Sequence, residues 1–216
     1  TVGDYFSGQA QPDTGMRLGY QSSYGSGSGA TGGIEALLYF QLPAVPAGQK
    51  VSTASLKFSE LTAANTMPTF NVDLYGLGFD TNDPPLNDNV AETFGTTGHA
   101  SPVVSTAYFY SGPDQTTNIT PPSGVTALPI NKIQDNILQP SDWTNSVGGD
   151  GTGLSLHTTD TTGSTNLATF IQAAYDAGAV AGNYLILRLN PDLTGISGGT
   201  QRYQIPFQQT VTDSNY

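Results

Sequence analysis

The sequence predicts an all-β protein: a two-sheet antiparallel β-sandwich, jelly-roll-like, with one short α-helix near residues 165–177. Three observations predict it. Consecutive segments between residues 34 and 77 alternate apolar and polar side chains with a period of two, the signature of strands with one face on a core. The run YLILRL at 184–189 is apolar throughout, as a central strand covered on both faces would be. Clusters of Gly, Pro, Asn, Asp, Ser and Thr punctuate the rest, and only one stretch carries helical spacing.

In chain order, residues 1–12 read as a polar N-terminal arm anchored by Val2, Tyr5 and Phe6, and 13–216 as a single domain. A short strand is expected at 16–20, followed by a Gly/Ser-rich loop to residue 33. In the next strand Ile34, Ala36, Leu38, Phe40 and Leu42 point to the core, with Glu35, Tyr39 and Gln41 toward water. Ala54, Leu56 and Phe58 form the inward set of the following strand, against Ser55, Lys57 and Ser59. Phe70, Val72 and Leu74 do so in the third, against Asn71, Asp73 and Tyr75. Residues 79–98 read as irregular, 103–110 as a strand and 112–129 as a long Pro/Thr loop; 130–138 suits a turn of helix or an irregular segment. Leu167, Phe170, Ile171, Ala174 and Tyr175 recur at helical spacing, with Ser164 or Thr165 as N-cap and Gly178 just past the C-terminus. A last strand is expected at 202–211.

Composition narrows the function classes. Six Lys and Arg against 17 Asp and Glu give a net charge of −11, which repels nucleic acid and anionic membranes. Only 11% of residues are charged, against about 25% in a typical soluble domain, so the polarity is of the uncharged, extracellular kind. There is no cysteine, hence no disulfide, thiolate nucleophile or cysteine metal site. No apolar run approaches the ~18 residues of a membrane span. The first residue is Thr1 rather than Met, and the expectation is an exported chain with its signal peptide removed.

A family resemblance rests on four pieces of sequence. They are Met16-Arg17-Leu18-Gly19, Leu38-Tyr39-Phe40-Gln41-Leu42, Ala47-Gly48, and the run from Val51 to Leu56. Together they resemble the DNRLRE-type secreted bacterial β-sandwich domains, close to alginate-type carbohydrate-binding modules. The likeness covers residues 13–78, and Met16 stands where the family has Leu. It implies an extracellular sandwich and a polysaccharide ligand. It also implies a further apolar closing strand after a segment such as 202–210; either that strand is not needed here, or another chain fills its place.

Candidate chemistry is sparse. Asp80, Asn82, Asp83, Asn87 and Asp88 form the densest oxygen cluster; Ca²⁺ takes six to eight such ligands, although turn formers in a surface loop have the same composition. For sugar binding, Trp143 and Tyr20 offer aromatic platforms, and Arg17 and Arg188 offer guanidinium groups for an acidic polysaccharide. Core roles for Trp143 and a buried carboxylate partner for Arg188 are the alternatives. His99 and His157 lack metal-ligand spacing, and no GxSxG, HExxH or P-loop occurs. The expectation is therefore a non-enzymatic structural subunit of an extracellular fibre, sheath or biofilm matrix. It would assemble with copies of itself through inter-subunit strand contacts, with two candidate donor arms, Thr1 to Ala10 (carrying Val2, Tyr5 and Phe6) and Gln208 to Tyr216. A carbohydrate-binding module is the alternative.

Overall fold

The computed structural model describes residues 2–6, 9–10, 15–21, 32–61, 67–81, 114, 125–143, 154–196 and 201–206. The strand expected at 103–110 and the C-terminal segment from 207 lie outside the described residues.

The all-β expectation holds. β1 (Val2–Phe6), β2 (Gln9–Ala10), β3 (Gly15–Gln21), β4 (Gly32–Gln41), β5 (Lys57–Leu61) and β6 (Val72–Asp80) come first. β7 (Val125–Leu138), α1 (Pro140–Trp143), β8 (Leu154–Thr158), α2 (Thr161–Asp176), β9 (Tyr184–Pro191) and β10 (Gln201–Pro206) follow. Every strand pairing among the described residues is antiparallel, in the order β7-β6-β9-β4-β3-β10-β5-β8.

The path divides into two layers at one short junction. β4 pairs with β9 along Ala36–Gln41 but meets β3 only at Gly32, Gly33 and Ile34. Beyond that junction β3 pairs with β10 and leads the second layer. One apolar cluster joins the layers, with Leu74, Leu187 and Leu38 from the first and Leu18, Tyr203 and Ile205 from the second. Tyr203 meets Phe70 edge-to-face at 5.6 Å and donates its hydroxyl hydrogen to the Phe70 carbonyl at 3.0 Å.

The helix starts earlier than its periodicity predicts. Asp160, rather than Ser164 or Thr165, is the N-cap, its carboxylate accepting the Gly163 N–H at 2.6 Å. The end is as expected: Gly178 has φ of 103°, and the Gly178 and Ala179 N–H groups bond Tyr175 and Ala174 carbonyls, a Schellman ending. Leu167, Phe170 and Ala174 face the core. Phe170 sits directly over β6: a Cβ on Gly76 would lie 2.5 Å from its Cζ.

Two further corrections concern β7 and the outward faces. The stretch 125–138, expected as loop end and ambiguous turn, is the longest strand among the described residues. Its 14 residues pair with the nine of β6 because three register shifts absorb the excess, and those bulges erase the alternation. Glu35, Tyr39, Asp73 and Tyr75 were assigned to water by alternation, yet all are buried. The central strands β6, β9 and β4 are covered on both faces, so the period of two separates one interior from another. Phe40, expected inside, is 41% exposed. It lines a cavity of about 310 Å³ together with Val45, Val51, Leu167, Ile171 and Tyr175, among others, and no charged side chain among the described residues lines it.

Candidate functional site

Two features of the first layer stand out, a buried row of charge on one face of the sheet and an N-terminal strand at its edge.

Register builds the row. Tyr75 on β6 lies opposite Arg188 on β9, and Asp73 lies opposite Asn190, so these four side chains share a face. Arg188 has no solvent exposure, its Nε lies 3.7 Å from Glu35 of β4, and its guanidinium carbon lies 5.0 Å from the Tyr75 ring centre. Tyr75 donates its hydroxyl hydrogen to Asp73 Oδ2 at 3.3 Å. Lys132 of β7 approaches the same oxygen at 3.3 Å. The bulge between Leu74 and Val72 swings Asn136, at φ of 53°, so that its N–H reaches Asp73 Oδ1 at 2.8 Å. The row thus runs Glu35, Arg188, Tyr75, Asp73, Lys132 across four adjacent strands. Two of the chain's six Lys and Arg residues are committed to it.

At its β7 end the row opens into a carboxylate cluster. Lys132 Nζ also contacts Asp114 and, at 2.7 Å, Asp135. Oxygens of Asp73, Asp114 and Asp135 all lie within 4.8 Å of one another. A cation would suit this charge, and the Lys132 ammonium already stands among them. Burial works to lower the Lys132 pKa, but the hydrogen bonds it donates to Asp114 and Asp135 and the charge of Asp73 raise it. Asp73 is pushed upward by burial, against the Asn136 N–H and Lys132, which pull it down. Asp192, just past β9, is raised to about 7 by burial first and by the charge of Asp73 second.

The second feature is the edge of β4. Where β3 departs for the second layer, β1 takes its place: Val2 pairs with Leu38, Gly3 with Leu37, Asp4 with Ala36, Tyr5 with Glu35 and Phe6 with Ile34. β1 and β3 both run antiparallel to β4 and occupy successive stretches of one edge, meeting at Ile34. The N-terminal strand therefore sits in the seam between the layers, tied back by a short pairing with β2.

The remaining sequence candidates are scattered. Arg17 and Tyr20 lie on β3 in the second layer, Tyr20 half-buried against the core, while Trp143 ends α1. Arg188 is interior, held by Glu35 and Tyr75, which is its alternative reading and removes it from any surface platform. Asp80 ends β6 opposite Val125 and Tyr184; Asn82, Asp83, Asn87 and Asp88 lie outside the described residues. The Asp73, Asp114, Asp135 and Asp192 grouping was missed because its members are distant in sequence. No local motif signals it. His157 stacks on Phe58 at 5.6 Å, a packing role. No helix among the described residues is long and apolar enough to cross a membrane.

Comparison with family models, with curated proteins and with solved structures returns no match in any of the three.

Proposed function

We propose that this chain is an exported, non-enzymatic structural protein, a subunit of an extracellular fibre, sheath or matrix that assembles through strand contacts between copies. The observation that carries this reading is the seam at β4. A strand at the start of the chain fills a sheet edge that the fold's own third strand leaves open. Edges of this kind accept strands by backbone pairing, with register set by the slot. Three further features support the reading. They are the weakly charged polar composition, the net charge of −11, and the resemblance of residues 13–78 to secreted bacterial sandwich domains. The charge favours a soluble subunit before assembly. The carbohydrate-binding alternative is not favoured by the geometry, because its best guanidinium is buried against Glu35.

Electron microscopy and light scattering of the purified chain test the proposal. Filaments or higher oligomers that grow with concentration are expected. A monodisperse monomer at every concentration, ionic strength and pH tried refutes it.

A further inference from the structure

Resting on the structural-subunit reading, we infer that β1 is an exchangeable strand: the Ile34–Leu38 edge of one copy receives the Val2–Phe6 strand of a second copy. The occupant is identified by the structure itself, since the segment seated in the slot is this chain's own N-terminal strand in a five-pair register. A second copy's β1 makes the same five pairs, so exchange conserves the ladder and alters only the connection. Swapping an identical element between copies is a low-cost route to association for this reason.

The connection permits it. In the chain's own arrangement, β1 folds back through its pairing with β2 before β3 begins, with Tyr5 opposite Ala10 and Phe6 opposite Gln9. Once the five-pair ladder with β4 and the two-pair hairpin with β2 are both opened, the eight residues 7–14 that join β1 to β3 can span about 26 Å when extended at ~3.3 Å each. All other contacts that secure the layers, including the β4–β9 and β3–β10 ladders and the apolar cluster, are independent of β1. A body with its arm withdrawn therefore keeps its core and presents an empty edge at Ile34–Leu38. Each copy donates one strand and accepts one through different surfaces, a head-to-tail contact that propagates into a filament unless rotation closes it into a ring.

The absence of native cysteine makes the test clean. Gly3 and Leu37 are Cα partners, and paired antiparallel residues lie about 4.5–5.5 Å apart, within disulfide range. Gly3→Cys and Leu37→Cys single variants are unfolded together, refolded, mildly oxidised and run on a non-reducing gel. A covalent species of twice the monomer mass, absent from either variant alone, is expected. The double variant is expected to give a ladder of covalent oligomers. Closure of the double variant within single chains, with no dimer from the mixture, overturns the inference. So does the absence of any disulfide, which denies the register. A chain starting at residue 11 provides a second measurement. It is expected to stay folded by circular dichroism and to remain monomeric, and filaments formed without the arm overturn the exchange. Electron microscopy of the same samples separates the two readings. Filaments without inter-chain disulfide sink strand exchange and leave the structural role standing, whereas inter-chain disulfide without filaments does the reverse.

Discussion

The two faces of the β6–β9–β4 sheet are both buried, yet they are built on opposite rules. One face presents Leu74, Leu185, Leu187, Leu189, Ala36 and Leu38 to the core, where each fully buried leucine contributes about 1.5–3 kcal/mol and neighbours of similar volume are interchangeable. The other carries Glu35, Arg188, Tyr75 and Asp73, with Lys132 at its margin. There the attraction between charges offsets the cost of taking them out of water only while each keeps its partner. The apolar face tolerates substitution by degrees; the charged face fails abruptly when one member goes.

The largest expected effect tests that contrast directly. Arg188→Ala leaves Glu35 buried without its cation and is expected to cost about 3–5 kcal/mol in urea denaturation. The double variant Arg188→Met with Glu35→Leu is expected to recover most of the loss. A double variant no more stable than Arg188→Ala breaks the comparison, because the packing of the guanidinium over Tyr75 would then matter more than charge pairing.

On the apolar face, Gly76→Ala drives a methyl group into the Phe170 ring and is expected to cost about 1–3 kcal/mol. Phe170→Leu in the same chain is expected to relieve part of it, measured by thermal unfolding. Equal costs in both backgrounds would show that backbone, rather than the ring, sets the limit. A smaller effect is expected at the end of the helix that covers this face. Asp160→Ala removes the acceptor for the Gly163 N–H and is expected to lower stability by about 1 kcal/mol, with Asp160→Ser close to the parent.

The finest distinction is the pH profile. Asp192 titrates at about 7 in the folded chain against 3.8 for an ordinary carboxyl, so the folded form holds the proton more tightly. Its contribution is complete below about 3.8 and is lost as pH rises through 7. Asp73 shifts in the same direction. Melting temperature is therefore expected to rise on acidification from pH 8 to 5, with Asp192→Asn flattening that slope. Contact with solvent and screening by salt keep this effect the smallest of the four. A slope unchanged by Asp192→Asn would place the titrating group elsewhere.

Much of the fold was legible because a period of two and a single helical stripe are strong signals. Met16 to Tyr20, Leu38 to Leu42 and the YLILRL run fall where they were expected, with YLILRL central between β4 and β6. What the pattern could not give was the nature of the second face. Alternation marks Asp73 and Tyr75 as different from Leu74, and it carries no information on whether that difference is met by water or by Arg188 and Lys132. β7 was hidden because three register shifts interrupt its pairing with β6 and break up the alternation. The helix start was hidden because Thr161, Thr162 and Gly163 are poor helix formers, and their place is fixed by Asp160 and by Gln134 accepting the Asp160 N–H. The edge taken by β1 was legible only as an arm with three apolar residues; its slot depends on where β3 leaves β4, which is a fact of topology.

The central position of β9 has a consequence for how the molecule opens. Both of its edges are laddered and Leu185 to Pro191 are buried, so its amide hydrogens exchange with deuterium only when the whole sheet comes apart. Amides of β1 exchange whenever the arm alone lifts away. The two strands are therefore built-in clocks for two different events, and the ratio of their exchange rates measures how readily the seam is released without disturbing the body that remains.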